Sequence, residues 1–294
     1  MGAHPDITPE AEEAERVSRA LWDEHSERVR AARQQVRNHP AAYLFAQAET
    51  LRQSIDAIFI PNYVTLRSAL ISPTIDQGLA IELTQNVRRS VAAERFGALL
   101  VRDLHNYLAG SYTLVEHVRA LMAGQPDELK ERWGVERQRC FGTDEMRFVG
   151  DLRRYIQHYA HLPIMRQISF TGPASEVQSM TYTTGIKATT MLRWKDWTSP
   201  ARSYLGSQDV INLLPLFDSH ASAAVAANRW LLGELVKMIT PLVHEYDELV
   251  ARANAVLTAA DHRNSPLSII VDFRCLERPR KWLHPMRAQV MPHA

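Results

Sequence analysis

The stretch ERFGALLVRDLHNYLAGSYTLVEHVRALMA, residues 94–123, places Phe96, Leu100, Leu104, Tyr107, Leu108, Ser111, Leu114, Val118 and Leu121 three or four residues apart. Residues so spaced share one side of a helix with 3.6 residues per turn, so the run reads as one long helix with a core-facing stripe. Gly124 and Pro126 end it. Downstream, a charged helix over 126–139 leads to Phe141-Gly142. Thr143-Asp144-Glu145 then starts another, with a capping hydroxyl followed by acids at the positive helix end. Its stripe is Phe148, Leu152, Tyr155, Ile156 and Tyr159, and it runs to Leu162-Pro163.

Upstream the same period recurs. Residues 74 to 93 belong with one or two helices, and the segment between Pro61 and Pro73 has no clear period. A helix to about Phe59 carries Tyr43, Leu44, Leu51, Ile55 and Ile58 on its apolar side. Thr8-Pro9-Glu10 starts a charge-rich helix to about Arg37, whose thin stripe (Ala14, Val17, Leu21, Val29, Ala32, Val36) predicts a place on the surface of the core. Asn38-His39-Pro40 ends it.

After Pro163 the pattern changes. Ile164–Phe170, Val177–Thr183 and Ile186–Trp194 are rich in β-branched and aromatic residues, with Gly172-Pro173 and Thr184-Gly185 between them, which predicts a three-stranded meander. Ser207 is expected to cap a helix interrupted at Pro215. A long helix over about 219–260 carries Leu232, Leu235, Ile239, Leu242, Tyr246, Leu249, Ala253 and Val256 as a coiled-coil-like seam, with Pro241 as a site for a kink. A strand-like run, Leu267–Phe273, precedes a basic tail. The expected fold is mainly α: a helical bundle with a small antiparallel β meander inserted and a long C-terminal helix. The expected divisions are a helical region over 1–163, the meander over 164–198, and a long-helix region over 199–294 packing on the bundle. One compact unit and two domains fit the pattern equally well.

Hydrophobic residues make up 46% and charged residues 23% of the 294, which places the chain among globular proteins. The net charge of +1 supplies no general field for nucleic acid or membrane, so any nucleic-acid contact must rest on a local patch. Two cysteines, Cys140 and Cys275, make neither a disulfide framework nor a cysteine zinc pattern. No apolar leader and no run of about 18 apolar residues is present, so a cytoplasmic protein without membrane contact is expected. P-loop, GxGxxG, GxSxG and HExxH motifs are absent. Neither a cofactor nor a metal is expected: His158 and His161 form an i, i+3 pair without further ligands.

One short segment stands out for its chemistry: FVGDLRRYIQHYAHLP, residues 148–163. Arg153, four residues, then His158 resembles the Arg-x4–6-His signature of HEPN domains. The resemblance covers roughly residues 40 to 163, including the Leu104–Ala109 segment. It implies a helical-bundle, metal-independent endoribonuclease of toxin or phage-defence type, with Arg153 and His158 catalytic and the cleft assembled across a homodimer. The family usually has Asn, Asp or His after the arginine; here the residue is Arg154. Attack of an RNA 2′-hydroxyl on its phosphate needs a group that moves a proton near neutral pH and a cation for the developing charge, which histidine and arginine supply.

Helix geometry adds a second set. Arg153 and His158 lie roughly 140° apart around their helix and cannot converge from it. Arg147, Asp151, Arg154 and His158 share one column, in which Asp151 would orient His158 and Arg154 would contact phosphate. Arg147 also counts as an RNA contact, with Arg280, Lys281 and Trp282 of the tail, where bases interleave with an aromatic ring. Against these stand plainer readings: a solvated polar column, a tail that packs Trp282, and core-edge hydrogen bonding for His105 and His117. Tyr182, Trp194 and Trp197 read as packing. The alternative function is a non-catalytic helical scaffold or binding module.

Overall fold

A computed structural model of the chain describes residues 9–84, 91–160, 162–171 and 179–261. Among these the structure is mainly α-helical with a small three-stranded antiparallel sheet. Two compact units form: residues 48–235 make one, and the two ends, up to 47 and from 236, make the other. No helix among the described residues is long and apolar enough to cross a membrane.

In the terminal unit, helix α1 (Pro9–Asn38) buries only Val36. Its exposed length is bridged by i, i+3 and i, i+4 pairs such as Arg16–Glu13 and Arg19–Glu15, each worth a few tenths of a kcal/mol at best. Val36 packs with Ala41 of helix α2 (Pro40–Gln53) and with Tyr246 and Ala253.

The central unit begins within α2. The segment whose type was open is helix α3 (Ile60–Ile75), entered through a wide turn over Ser54–Phe59 in which the Ile60 N–H donates to the Ile55 carbonyl. Pro61 therefore does not end a helix: it sits in the first turn of α3, where its missing N–H matters least. Helix α4 (Gln77–Thr84) follows, then α5 (Val91–Ala123), with Phe96, Leu100, Leu104, Tyr107, Leu108, Leu114, Val118 and Leu121 buried as the stripe requires. Pro126 caps α6 (Asp127–Phe141), and the Thr143 hydroxyl accepts the Met146 N–H (3.3 Å) to cap α7 (Asp144–His158).

The sheet corrects the strand boundaries. Strand β1 (Ile164–Thr171) pairs antiparallel with β2 (Ser179–Lys187), with Ile168 opposite Tyr182. Thr184-Gly185 is no turn; it lies inside β2, because β3 (Val210–Asn212) comes so close that a Cβ on Gly185 would sit 2.9 Å from the Ile211 carbonyl oxygen. The expected third strand, 186–194, instead finishes β2 and turns into the short helix α8 (Ala188–Met191). Helix α9 (Ser199–Gly206) follows, so Ser207 closes a helix instead of opening one. The long helix has two parts, α10 (Leu213–Ile239) and α11 (Val243–Asp261), joined by a tight turn at Thr240–Leu242 that holds Pro241. Pro215 falls in the first turn of α10 and does not interrupt it. Tyr182, Trp194 and Trp197 are all buried.

Candidate functional site

A cleft of about 560 Å³ opens in the central unit between α5, α6, α7 and α10. Each helix contributes one face. Ser111, Val115, Val118 and Met122 of α5 and Met146, Val149 and Gly150 of α7 form apolar and small walls. Trp133, Arg137 and Phe141 of α6 are four residues apart, and so are His220, Ala224 and Asn228 of α10. Small side chains at Gly150 and Ala224 leave the space open.

Four arginines line it: Arg119, Arg137, Arg147 and Arg153. Arg119 pairs with Glu116 (2.6 Å). The other three have no carboxylate partner among the described residues. Among the described residues, the Arg147 side chain reaches only the Gln138 side-chain oxygen, at 3.4 Å. The Arg153 guanidinium stacks on the Tyr112 ring, 3.4 Å from its centroid, and its Nε is buried without an acceptor. A buried N–H of a cation without a partner is costly, so an incoming acceptor would be favoured there.

At the floor, the His220 Nδ1 lies 2.6 Å from the Tyr107 hydroxyl. Both residues are buried, and burial pushes the His220 pKa down to about 4 while raising that of Tyr107. The Tyr107 hydroxyl and His220 Nδ1 share one hydrogen bond, whose direction follows the imidazole tautomer. With its pKa lowered to about 4, His220 is a weak base and uncharged at neutral pH. Asn228, only 4% exposed, donates through Nδ2 to the Ala224 carbonyl (2.8 Å) and leaves a buried Oδ1 unpaired. Among the described residues no group of histidines, cysteines and carboxylates could hold a metal ion.

The residues singled out from sequence are distributed unevenly. Arg147, Asp151 and Arg153 line the cleft; Arg154 and His158 do not. Asp151 Oδ1 accepts from Arg154 Nη2 (2.8 Å) on its own helix and Oδ2 from the Thr198 N–H (2.9 Å) at the start of α9, so both oxygens are engaged away from His158. Arg154 also donates to the Asp196 carbonyl (3.3 Å) and lies over the Trp194 ring. Arg154 and Asp151 therefore fasten the 194–198 loop to α7. His158 is the last residue of α7, exposed, and its side chain makes no hydrogen bond to any described residue. The structure does not bring Arg153 and His158 together within one chain, as their angular separation on the helix requires. His105 is exposed, and His117 contacts Ser54. His161, Arg280, Lys281 and Trp282 lie outside the described residues.

His220, Asn228, Trp133, Tyr112 and Arg137 were not singled out from sequence as site residues. The signal lay in α10, where a histidine and an asparagine eight residues apart punctuate the alanine-rich run 221–227. No protein-family model matches the chain, and no curated protein or solved structure matches it either.

Proposed function

We propose that the chain is a helical binding module that takes phosphate-bearing RNA in this cleft, with strand cleavage as the second reading. One observation carries it: Arg137, Arg147 and Arg153 meet at one cleft with no carboxylate partner among the described residues. Uncompensated like charge favours a bound anion, and planar guanidinium groups match phosphate in two-point contact. The rings of Tyr112 and Trp133 at the same cleft favour a ligand that also carries flat bases. The Arg153–His158 resemblance supports RNA as the nucleic acid.

Arg153→Ala should weaken binding of a short single-stranded RNA by about 10- to 100-fold, the range of one charge-assisted contact. The salt dependence should also become shallower by about 0.7 in log–log slope, one phosphate contact fewer. Fluorescence anisotropy across a salt series reads both. Wild-type affinity for RNA no better than for a neutral polymer would end this proposal.

A specific observation favours the second reading. The His158 side chain is exposed, free of hydrogen bonds to described residues, and at a helix end, where a second copy has access to it. If a dimer joins it to the partner's cleft, His158→Ala should abolish cleavage of a cellular RNA pool in the presence of chelator. Its effect on stability should stay within about 0.5 kcal/mol, since an exposed side chain loses little packing. Intact RNA after incubation with wild-type protein, with or without metal, leaves the binding reading alone.

A further inference from the structure

We infer that Asn228 contacts the nucleobase, so that the cleft holds one whole nucleotide, phosphate at the arginines and base edge at α10. This rests on the reading of the cleft as a phosphate site. Asn228 lies on α10, beyond the segment that carries the Arg-x4-His motif, and is among the most buried polar residues of the chain, 4% exposed. Its Nδ2 spends one hydrogen on the Ala224 carbonyl (2.8 Å), and its Oδ1 is buried without a donor. That carbonyl belongs to the helix backbone and accepts the helical hydrogen bond besides, so the amide is not needed to satisfy it. What remains is an acceptor, with a second amide hydrogen beside it. This adjacent acceptor and donor pair is the pattern with which asparagine engages base edges.

The neighbourhood fits a base more closely than water alone. Trp133 lines the same cleft and is held by stacking on Trp230, 6.1 Å between centroids and 27° between planes, two residues beyond Asn228. Arg137 is one helical turn from Trp133 on the same face of α6. A ring against Trp133 therefore has a cation one turn away for its phosphate. A cleft of about 560 Å³ lies within the range that holds small organic ligands. Every standard base presents an N–H beside an acceptor on its edge, so Asn228 requires a base without selecting one.

The test is equilibrium binding of four probes to the full chain: inorganic phosphate, ribose 5-phosphate, adenosine 5′-monophosphate, and a five-nucleotide RNA with or without one abasic position. Wild type should bind the nucleotide at least about 10-fold more tightly than ribose 5-phosphate, about one net buried hydrogen bond plus stacking. Asn228→Leu should remove that preference, weakening adenosine 5′-monophosphate at least about 10-fold more than it weakens ribose 5-phosphate. It should also leave thermal stability equal or higher, since an unpaired buried oxygen is lost. A structural role for the amide predicts the reverse: lower stability and an unchanged nucleotide preference. Either that result, or equal wild-type affinity for nucleotide and ribose 5-phosphate, overturns the assignment. Phosphate and ribose 5-phosphate binding would then still support the phosphate site. Failure of all four probes overturns both readings. Preference for the pentamer over the mononucleotide identifies a strand as the source, with the abasic position marking the base that is read.

Discussion

Phe148→Ala should lower the free energy of unfolding by about 3–5 kcal/mol, the usual cost of emptying a fully buried aromatic site. Phe148 is 0% exposed, and its ring meets Trp197 and Tyr204 at centroid distances of 5.4 and 5.3 Å. Trp197 stacks in turn on Tyr155 and donates its indole N–H to the Met191 carbonyl (2.7 Å). One side chain of α7 thus anchors the loop after α8 and the helix α9 that follows. The surrounding rings are locked to each other and cannot collapse into the space, which places the cost toward the upper end. Phe148→Leu keeps most of the volume and should cost less than half as much. Urea denaturation of the two variants checks this, and a loss under about 1 kcal/mol for the alanine variant would contradict a closed aromatic cluster. The same change should loosen the Asp151–Thr198 contact and with it one wall of the cleft.

Acid should destabilise the protein through His220. Its folded pKa of about 4 lies below the ordinary value of 6.5 because the charged ring is barred from water. A depressed histidine pKa means that the unfolded chain binds a proton which the folded chain refuses. The stability is therefore complete above pH 6.5 and falls as the pH is lowered from there toward 4. A shift of that size corresponds to about 3 kcal/mol at pH 4 and below. His220→Gln can still hydrogen-bond the Tyr107 hydroxyl and has no proton to take up, so its stability should fall less steeply between pH 6.5 and 4. Equal slopes for the two proteins would mean that His220 titrates normally. Exposed carboxylates and histidines contribute to both curves alike, so the difference isolates one residue.

How far the sequence carried is clearest at individual residues. Helix α5 was legible because its stripe repeats over about seven turns, and periodic burial is a local property written directly in the residue order. The Thr143 cap was legible for the same reason, since donor and acceptor are three residues apart. Strand β3 was not, because three residues carry little pattern and their pairing with β2 is decided some two dozen residues away in the chain. Ile186–Trp194 looked like strand on β-branched and aromatic content, yet Ala188 and Met191 are buried in a single helical turn. Side-chain type alone does not separate a strand from a buried turn of helix.

The candidate site divides along the same line. Sequence alone determined the helical class, the exposed character of α1, and the separation of Arg153 from His158 around α7. Each depends on residues within a few turns of one another or on composition. Only the tertiary structure decided that Arg153 faces a cleft while Arg154 fastens a loop, although the two are adjacent. Only it joined Trp133, Arg137, His220 and Asn228 to Arg153. Those residues come from three helices, α6, α7 and α10, and whether a polar group ends in water, in a pair or at a cleft depends on what other segments place beside it. Burial also gave His220 its depressed pKa and Asn228 its unpaired oxygen. Both arise from exclusion of water by neighbours distant in sequence, which no local pattern encodes.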